Sequence, residues 1–158
     1  ETLIRAVAPL ESSLHIAAQR FNIGSTDIPL NVTVHYDAFG AEFLRLLTDA
    51  ALIVIPLDRA DESSGQLVLL QAMALGKAII VTENRGISDY YIAGETVTIS
   101  PSHNPAALRE LIKSLMDDPE QRMRLGRAAI EHVDQFTLQK QAERVACIIN
   151  TMMTRRNK

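Results

Sequence analysis

A Rossmann-like α/β fold, a doubly wound parallel sheet in three α/β/α layers, is the architecture this chain predicts, and three observations carry the prediction. Short apolar runs alternate with segments of helical periodicity along most of the length. The runs at residues 51–55 and 78–81 are apolar at nearly every position rather than every second one, the pattern of strands covered on both faces. Prolines and capping side chains mark helix starts downstream. At 158 residues the chain fits one domain, residues 1–158, with a core large enough to need no staples.

The elements follow in order. Leu3, Ile4, Val7 and Leu10 recur at helical spacing, and Pro9 ends that helix near Ala8. Residues 14–18 form a short apolar run suited to a buried strand, and a polar loop through Asn22, Gly24 and Pro29 leads to a second strand at 32–36. Phe43, Leu44, Leu46 and Leu47 predict a helix over 41–49, followed by the strand at 51–55, which Pro56 stops. A charged loop, 58–62, leads into a helix over 65–75 with Gly76 at its C-terminal end, and 78–81 makes another buried strand. A short helix over 86–93 and a weaker strand at 96–99 come next. Asn104-Pro105 and Asp118-Pro119 each place a capping side chain before a proline, and Gln121 adds a feature of capping-box type after Asp118. Amphipathic helices over 105–116, 119–133 and 138–153 close the chain, with a charged tail, 155–158, expected to fray. No internal repeat or linker supports a second domain within these residues.

Bulk chemistry excludes several function classes. The 16 basic and 19 acidic residues are spread along the chain, so no concentrated basic face exists and nucleic acid is not an expected partner. The single cysteine, Cys147, permits no internal disulfide; its helical apolar setting predicts a small core residue in a reducing compartment. No apolar run is long enough for a transmembrane segment, and no charged-then-apolar leader opens the chain, so a cytoplasmic protein is expected. The opening at Glu1, in what reads as a helix already in progress, predicts a piece of a longer protein.

Ligands of open parallel sheets bind beyond the carboxyl ends of the strands, so the loops after Tyr36, Ile55 and Val81 are expected to form one rim. Ser63-Ser64-Gly65-Gln66 lies just where a helix begins beyond an apolar strand, and main-chain N–H groups there converge on an anion. Ser63 is expected to cap the helix, with the Gln66 side chain reaching back to the Ser63 amide and the amides of Ser64 and Gly65 exposed. The same four residues also read as a good helix cap that needs no ligand. Neither a Walker loop nor a Gly-x-Gly-x-x-Gly dinucleotide fingerprint is present.

Pro56, the block at 62–80 and the segment from Gly86 to Thr96, Gly-Ile-Ser-Asp-Tyr-Tyr-Ile-Ala-Gly-Glu-Thr, together resemble the nucleotide-sugar-binding half of a GT-B glycosyltransferase, family 4 type (glycosyl transferases group 1). The resemblance runs from about Glu1 to Phe136, and its specific part is the 62–86 block. It implies a C-terminal donor domain that holds a nucleotide-diphosphate sugar as substrate, with no metal and no other cofactor. It also implies a separate N-terminal acceptor domain, which together with the first strand lies outside this chain. The implied activity is retaining transfer of the sugar to a glycan or glycoconjugate, as in polysaccharide biosynthesis. The isolated 158 residues are expected to show no turnover. A non-catalytic nucleotide-binding or regulatory Rossmann-like module is the alternative.

That family places two glutamates around this helix start, the first near the donor sugar and diphosphate and the second on the ribose hydroxyls. With seven residues between them, the two positions fall on Ser63 and Gln71, so both carboxylates are absent at strict register. Glu62, one residue early, is the candidate catalytic carboxylate. Gln71 retains an amide able to bond a ribose hydroxyl, or is a polar residue of the helix surface. The family's basic residues for the diphosphate sit ahead of the first helix, outside this chain. Arg59 is the nearest basic candidate in the rim loop, or else a solvated surface arginine. Lys77 lies about 18 Å from Gly65 at the far end of the helix and is assigned no phosphate role. His35, near the end of a strand, is a candidate for the base pocket or a structural histidine. His15, His103 and His132 lack metal-ligand spacing, and no Gly-x-Ser-x-Gly nucleophile elbow is present. A receiver-like domain is disfavoured because its acidic cluster and lysine have no counterpart.

Overall fold

Parallel strands cannot be joined by a tight turn, so each strand here reaches the next through a crossover. The structure is a computed structural model that describes residues 1–23, 27–58 and 61–156. The elements are α1 (Thr2–Val7), β1 (Leu14–Ala18), α2 (Arg20–Ile23), β2 (Val32–Tyr36), α3 (Gly40–Asp49), β3 (Ile53–Ile55), α4 (Gln66–Ala74), β4 (Ile79–Thr82) and β5 (Thr98–Ser100), then α5 (Pro105–Asp117), α6 (Pro119–Val133) and α7 (Leu138–Arg156). All pairing among them is parallel. Leu14 lies opposite Val32 in the β1–β2 pair, Ile53 opposite Ile79 in β3–β4, and Ile80 opposite Thr98 in β4–β5.

The α/β class is as expected, but the strands form two sheets rather than one: a pair, β1-β2, and a triplet, β3-β4-β5. Helices cover both faces of the triplet. On one face Leu69, Ala72 and Met73 of α4 and Leu47 of α3 pack with Ile53, Ile55, Ile79 and Val81. On the other, Ala6 and Val7 of α1, Leu108, Ile112 and Leu115 of α5 and Leu125 of α6 pack with Ile80. Successive residues of β4 therefore point into different cores, and Ile79, Ile80 and Val81 are all fully buried. That arrangement is the physical reason for the continuous apolar run.

Helix ends obey local chemistry. Asn104 accepts from the Ala107 N–H at 3.0 Å and Asp118 from the Gln121 N–H at 2.8 Å, capping α5 and α6 as expected. Helix α4 closes with Gly76 N–H on the Met73 carbonyl at 2.9 Å and Lys77 N–H on that of Ala72 at 3.1 Å, a Schellman pair. The Lys77 ammonium then donates to the carbonyls of Thr48 (2.6 Å) and Ala50 (2.9 Å), satisfying the C-terminal end of α3.

Three expectations need correction. The stretch expected as a loop after β1 contains a helical turn, α2, although Gly24 lies outside the described residues. The short helix expected at 86–93 is a 3-10 turn, Arg85–Tyr90. Cys147 is exposed rather than buried, because α7 carries its apolar residues into solvent, Val145, Ile148 and Ile149 among them. The last two tail residues, 157 and 158, lie outside the described residues.

Candidate functional site

Beyond the end of β3 the chain leaves the sheet under tight control. The Leu57 N–H donates to the Thr82 hydroxyl at 3.1 Å, tying the start of the loop to the neighbouring strand. Gly65 then adopts φ 79°, ψ 0° as the residue before α4. A side chain there would meet left-handed backbone strain, and its Cβ would sit 3.2 Å from Ile55 Cγ2 and 3.3 Å from Leu57 Cδ2. Glycine lets the loop turn sharply and lie close on the sheet.

Because of that turn the helix begins at Gln66, with Gly65 as its N-cap and no side chain capping it. Ser63 is thus not the cap that the sequence pattern predicts; the left-handed residue interposes and shifts the helix start two positions on. Ser63 Oγ instead accepts from the Gln66 side-chain amide. The amides of Gln66, Leu67 and Val68 belong to the first turn, where no intrahelical acceptor exists, and carry the positive end of the helix dipole.

The loop after β4 holds this turn in place. Asn84, only 2% exposed, donates its Nδ2–H to the Glu62 carbonyl at 3.1 Å. Gly86 comes so near that an added Cβ would lie 2.8 Å from the Glu62 carbonyl carbon and oxygen and from the Ser63 nitrogen. Those are main-chain atoms, which cannot swing aside as a flexible side chain would. The Tyr91 hydroxyl reaches the Asn84 carbonyl at 3.5 Å. Burial pushes the Tyr91 phenol above its ordinary pKa; the bond to the Asn84 backbone pulls the other way, and the Glu83 carboxylate adds to the rise.

Non-glycine residues with positive φ occur at strand ends too: Asp37 (54°) follows β2, and His103 (53°) lies beyond β5. His103 Nδ1 is 3.7 Å from Asp58 Oδ1, an exposed contact between the loops after β3 and β5. In the sequence of these loops the acidic Asp58, Asp61, Glu62 and Glu83 outnumber the basic Arg59 and Arg85. An anion here would depend on main-chain amides more than on side-chain charge.

The predicted site residues thus divide. Glu62, Ser63, Ser64, Gly65 and Gln66 form one contiguous turn, and Gln71 sits half-buried farther along α4. His35 belongs to the other sheet, where its Nε2 lies 2.9 Å from His15 Nδ1 and its Nδ1 lies 3.9 Å from Glu42 Oε1. Arg59 lies outside the described residues. Asn84 is the contributor the sequence reading missed; its signal is an amide side chain two residues before a glycine, directly after a strand. No group of three or more His, Cys, Asp or Glu residues able to hold a metal occurs among the described residues.

Residues 26–132 match the family model described as glycosyl transferases group 1. The chain belongs to that family. Among curated relatives, the D-inositol 3-phosphate glycosyltransferase of Corynebacterium glutamicum is 28% identical over 117 residues, covering 74% of this chain and 27% of that protein. The enzyme of the same name from an Arthrobacter species is 32% identical over 111 residues, covering 70% of the chain and 26% of the relative. The chain therefore spans about a quarter of the length of these group 1 relatives. Among solved structures, Anabaena Alr3699/HepE in complex with UDP superposes with a TM-score of 0.80 at 17% identity, over 95% of this chain and 44% of that one. The sucrose-phosphate synthase of Thermosynechococcus elongatus gives 0.75 at 22%, over 97% and 42%. These neighbours are GT-B glycosyltransferases, and at such identities the likeness speaks for the fold. No helix among the described residues is long and apolar enough to cross a membrane.

Proposed function

We propose that this chain is the donor-holding part of a group 1 glycosyltransferase, binding a nucleotide-diphosphate sugar at the turn between β3 and α4. The observation that carries the reading is the left-handed Gly65 opening α4 with no side-chain cap, on a turn clamped through Glu62 by Asn84 and Gly86. In this reading the amides from Ser64 to Gln66 face the diphosphate and stabilise the charge that develops as it departs, without supplying a proton. Glu62 lies on the sugar side and Gln71 meets the ribose. The transfer proceeds with retention, needs no metal, and delivers the sugar to a glycan or glycoconjugate held by a separate acceptor domain of the same polypeptide. A cytoplasmic setting agrees with the lone cysteine.

A second reading, a nucleotide-binding module without turnover, draws on Ser63 and Gln71 standing where carboxylates would be expected. Titration with UDP and with GDP, followed by calorimetry and by amide NMR shifts, tests the proposal. Shifts concentrated at Ser64, Gly65 and Gln66 are the expected outcome, with no sugar transfer by the 158 residues alone. Shifts confined to other regions would overturn it. In the polypeptide that includes the acceptor domain, nucleotide binding without turnover would favour the second reading.

A further inference from the structure

Two histidines that stand twenty positions apart in sequence meet on the β1-β2 pair, the sheet that does not carry the Glu62 turn. The parallel register sets Thr33 opposite His15 and His35 opposite Ala17, so these four side chains share one face. The residues between them, Leu14, Ile16 and Val34, turn the other way, into the core that α1 and α5 build. Ala17 offers only a methyl opposite His35, which leaves the His35 ring room to lean along the sheet toward His15. Its Nε2 comes to 2.9 Å from His15 Nδ1, with ring centroids 5.2 Å apart and planes tilted by 34°. Both rings line the slot between β1 and β3, a cavity of about 620 Å3 whose far wall is Ile53, Val54 and Ile55.

We propose that His15 Nδ1 and His35 Nε2 chelate a divalent late transition-metal ion of the nickel or copper type, with water in its remaining positions. Imidazole nitrogen is a ligand suited to such ions. Two nitrogens each about 2.0–2.1 Å from a metal lie about 2.9 Å apart when they subtend a right angle, and about 3.3 Å apart when they subtend a tetrahedral one. The observed 2.9 Å is the spacing of neighbouring ligands in a square-planar or tetragonal site, the geometry of nickel and copper, rather than in the tetrahedral site that zinc prefers. Two side chains are all that the protein contributes, in keeping with the lack of a three-residue metal group among the described residues. Linear spacing does not reveal such a pair, because only the strand register brings it together.

The surroundings favour the tautomers that the chelate requires. His35 Nδ1 faces Glu42 Oε1 at 3.9 Å, and a proton held on that side leaves the Nε2 lone pair free. A carboxylate behind a ligating histidine fixes the orientation of its ring. The hydrogen of the His15–His35 bond then belongs to His15 Nδ1 in the metal-free protein. On binding, that proton leaves Nδ1 for solvent and Nε2 takes one up, so two metal–nitrogen bonds replace one hydrogen bond and no net proton is released. Arg45 and Asp49 line the same cavity, and together with Glu42 they bring two negative charges and one positive, a balance that favours a dication.

The test is titration of the tag-free 158-residue chain, carrying Cys147→Ser to remove the thiol, with Ni2+ and separately with Zn2+, followed by calorimetry and by broadening of amide NMR signals. One equivalent of Ni2+ is expected to bind, more tightly than Zn2+, and to broaden the amides around His15 and His35 first. His15→Gln and His35→Gln are each expected to weaken Ni2+ binding by about tenfold or more, and Glu42→Gln by about tenfold. Equal affinity in the parent and in both histidine variants overturns the proposal, as does broadening centred on His103 or His132. That second readout uses the chain with all its histidines in place, so it decides the matter even where a variant fails to fold. Zn2+ bound more tightly than Ni2+ overturns the assignment of the ion. None of these outcomes depends on nucleotide binding.

Discussion

Strands β4 and β1 are both runs dominated by apolar residues, yet Ile79, Ile80 and Val81 of β4 are completely buried, whereas His15 and Ala17 of β1 are exposed and Leu14, Ile16 and Ala18 only half-buried. The difference is one of neighbours. Strand β4 has a partner on each edge and a helix layer on each face; β1 has one partner and borders the open slot. Hydrophobic composition states that a strand can be buried, and the pieces packed around it set how much of that burial is realised.

The largest expected effect sharpens this contrast. Ile80→Ala removes a side chain from a closed core and is expected to cost about 2–5 kcal/mol in urea denaturation, while Ile16→Ala at the open edge costs about 1 kcal/mol or less. Equal losses would break the comparison. Next in size, Gly86→Ala drives a methyl into the Glu62–Ser63 main chain and is expected to cost about 1–3 kcal/mol. It should also abolish the UDP-dependent shifts at Ser64 and Gly65, because the turn loses its seat. Retention of those shifts would separate the anion site from the clamp described here.

The smallest effect is a pH dependence confined to the triplet half. Tyr91 has its pKa raised by burial from the ordinary 10.0, so the folded state favours the neutral phenol. Its contribution to stability is fully present below the unfolded value and is lost as pH rises through the higher folded value. Melting temperature is therefore expected to fall above about pH 10, and Tyr91→Phe should remove part of that fall while leaving neutral pH unchanged. A variant with an identical alkaline limb would show that the phenol does not titrate against the fold.

Much of the fold was legible residue by residue. The apolar runs placed β1 and β2 at their observed bounds, and Asn104-Pro105 and Asp118-Pro119 marked the starts of α5 and α6 because capping is a contact between residues three apart. The turn from Glu62 to Gln66 was recognisable as a helix start beyond a strand for the same reason. Its register was not. The left-handed Gly65 moved the cap from Ser63, and nothing local distinguishes a glycine that turns left-handed from one that merely loosens a loop. Cys147 failed in a similar way: helical periodicity identifies an apolar face without revealing whether anything covers it.

By itself, then, the order of residues determined the alternation of strands and helices, the caps of α5 and α6, and the helix start beyond β3, since these depend on contacts within a few residues. Only the tertiary structure decided that Asn84 and Gly86 seat the Glu62 turn, that Lys77 closes α3, and that the sheet parts between β1 and β3. Each of these joins residues about twenty or more apart in sequence, and such a pairing exists only once crossovers have brought distant strands to the same edge.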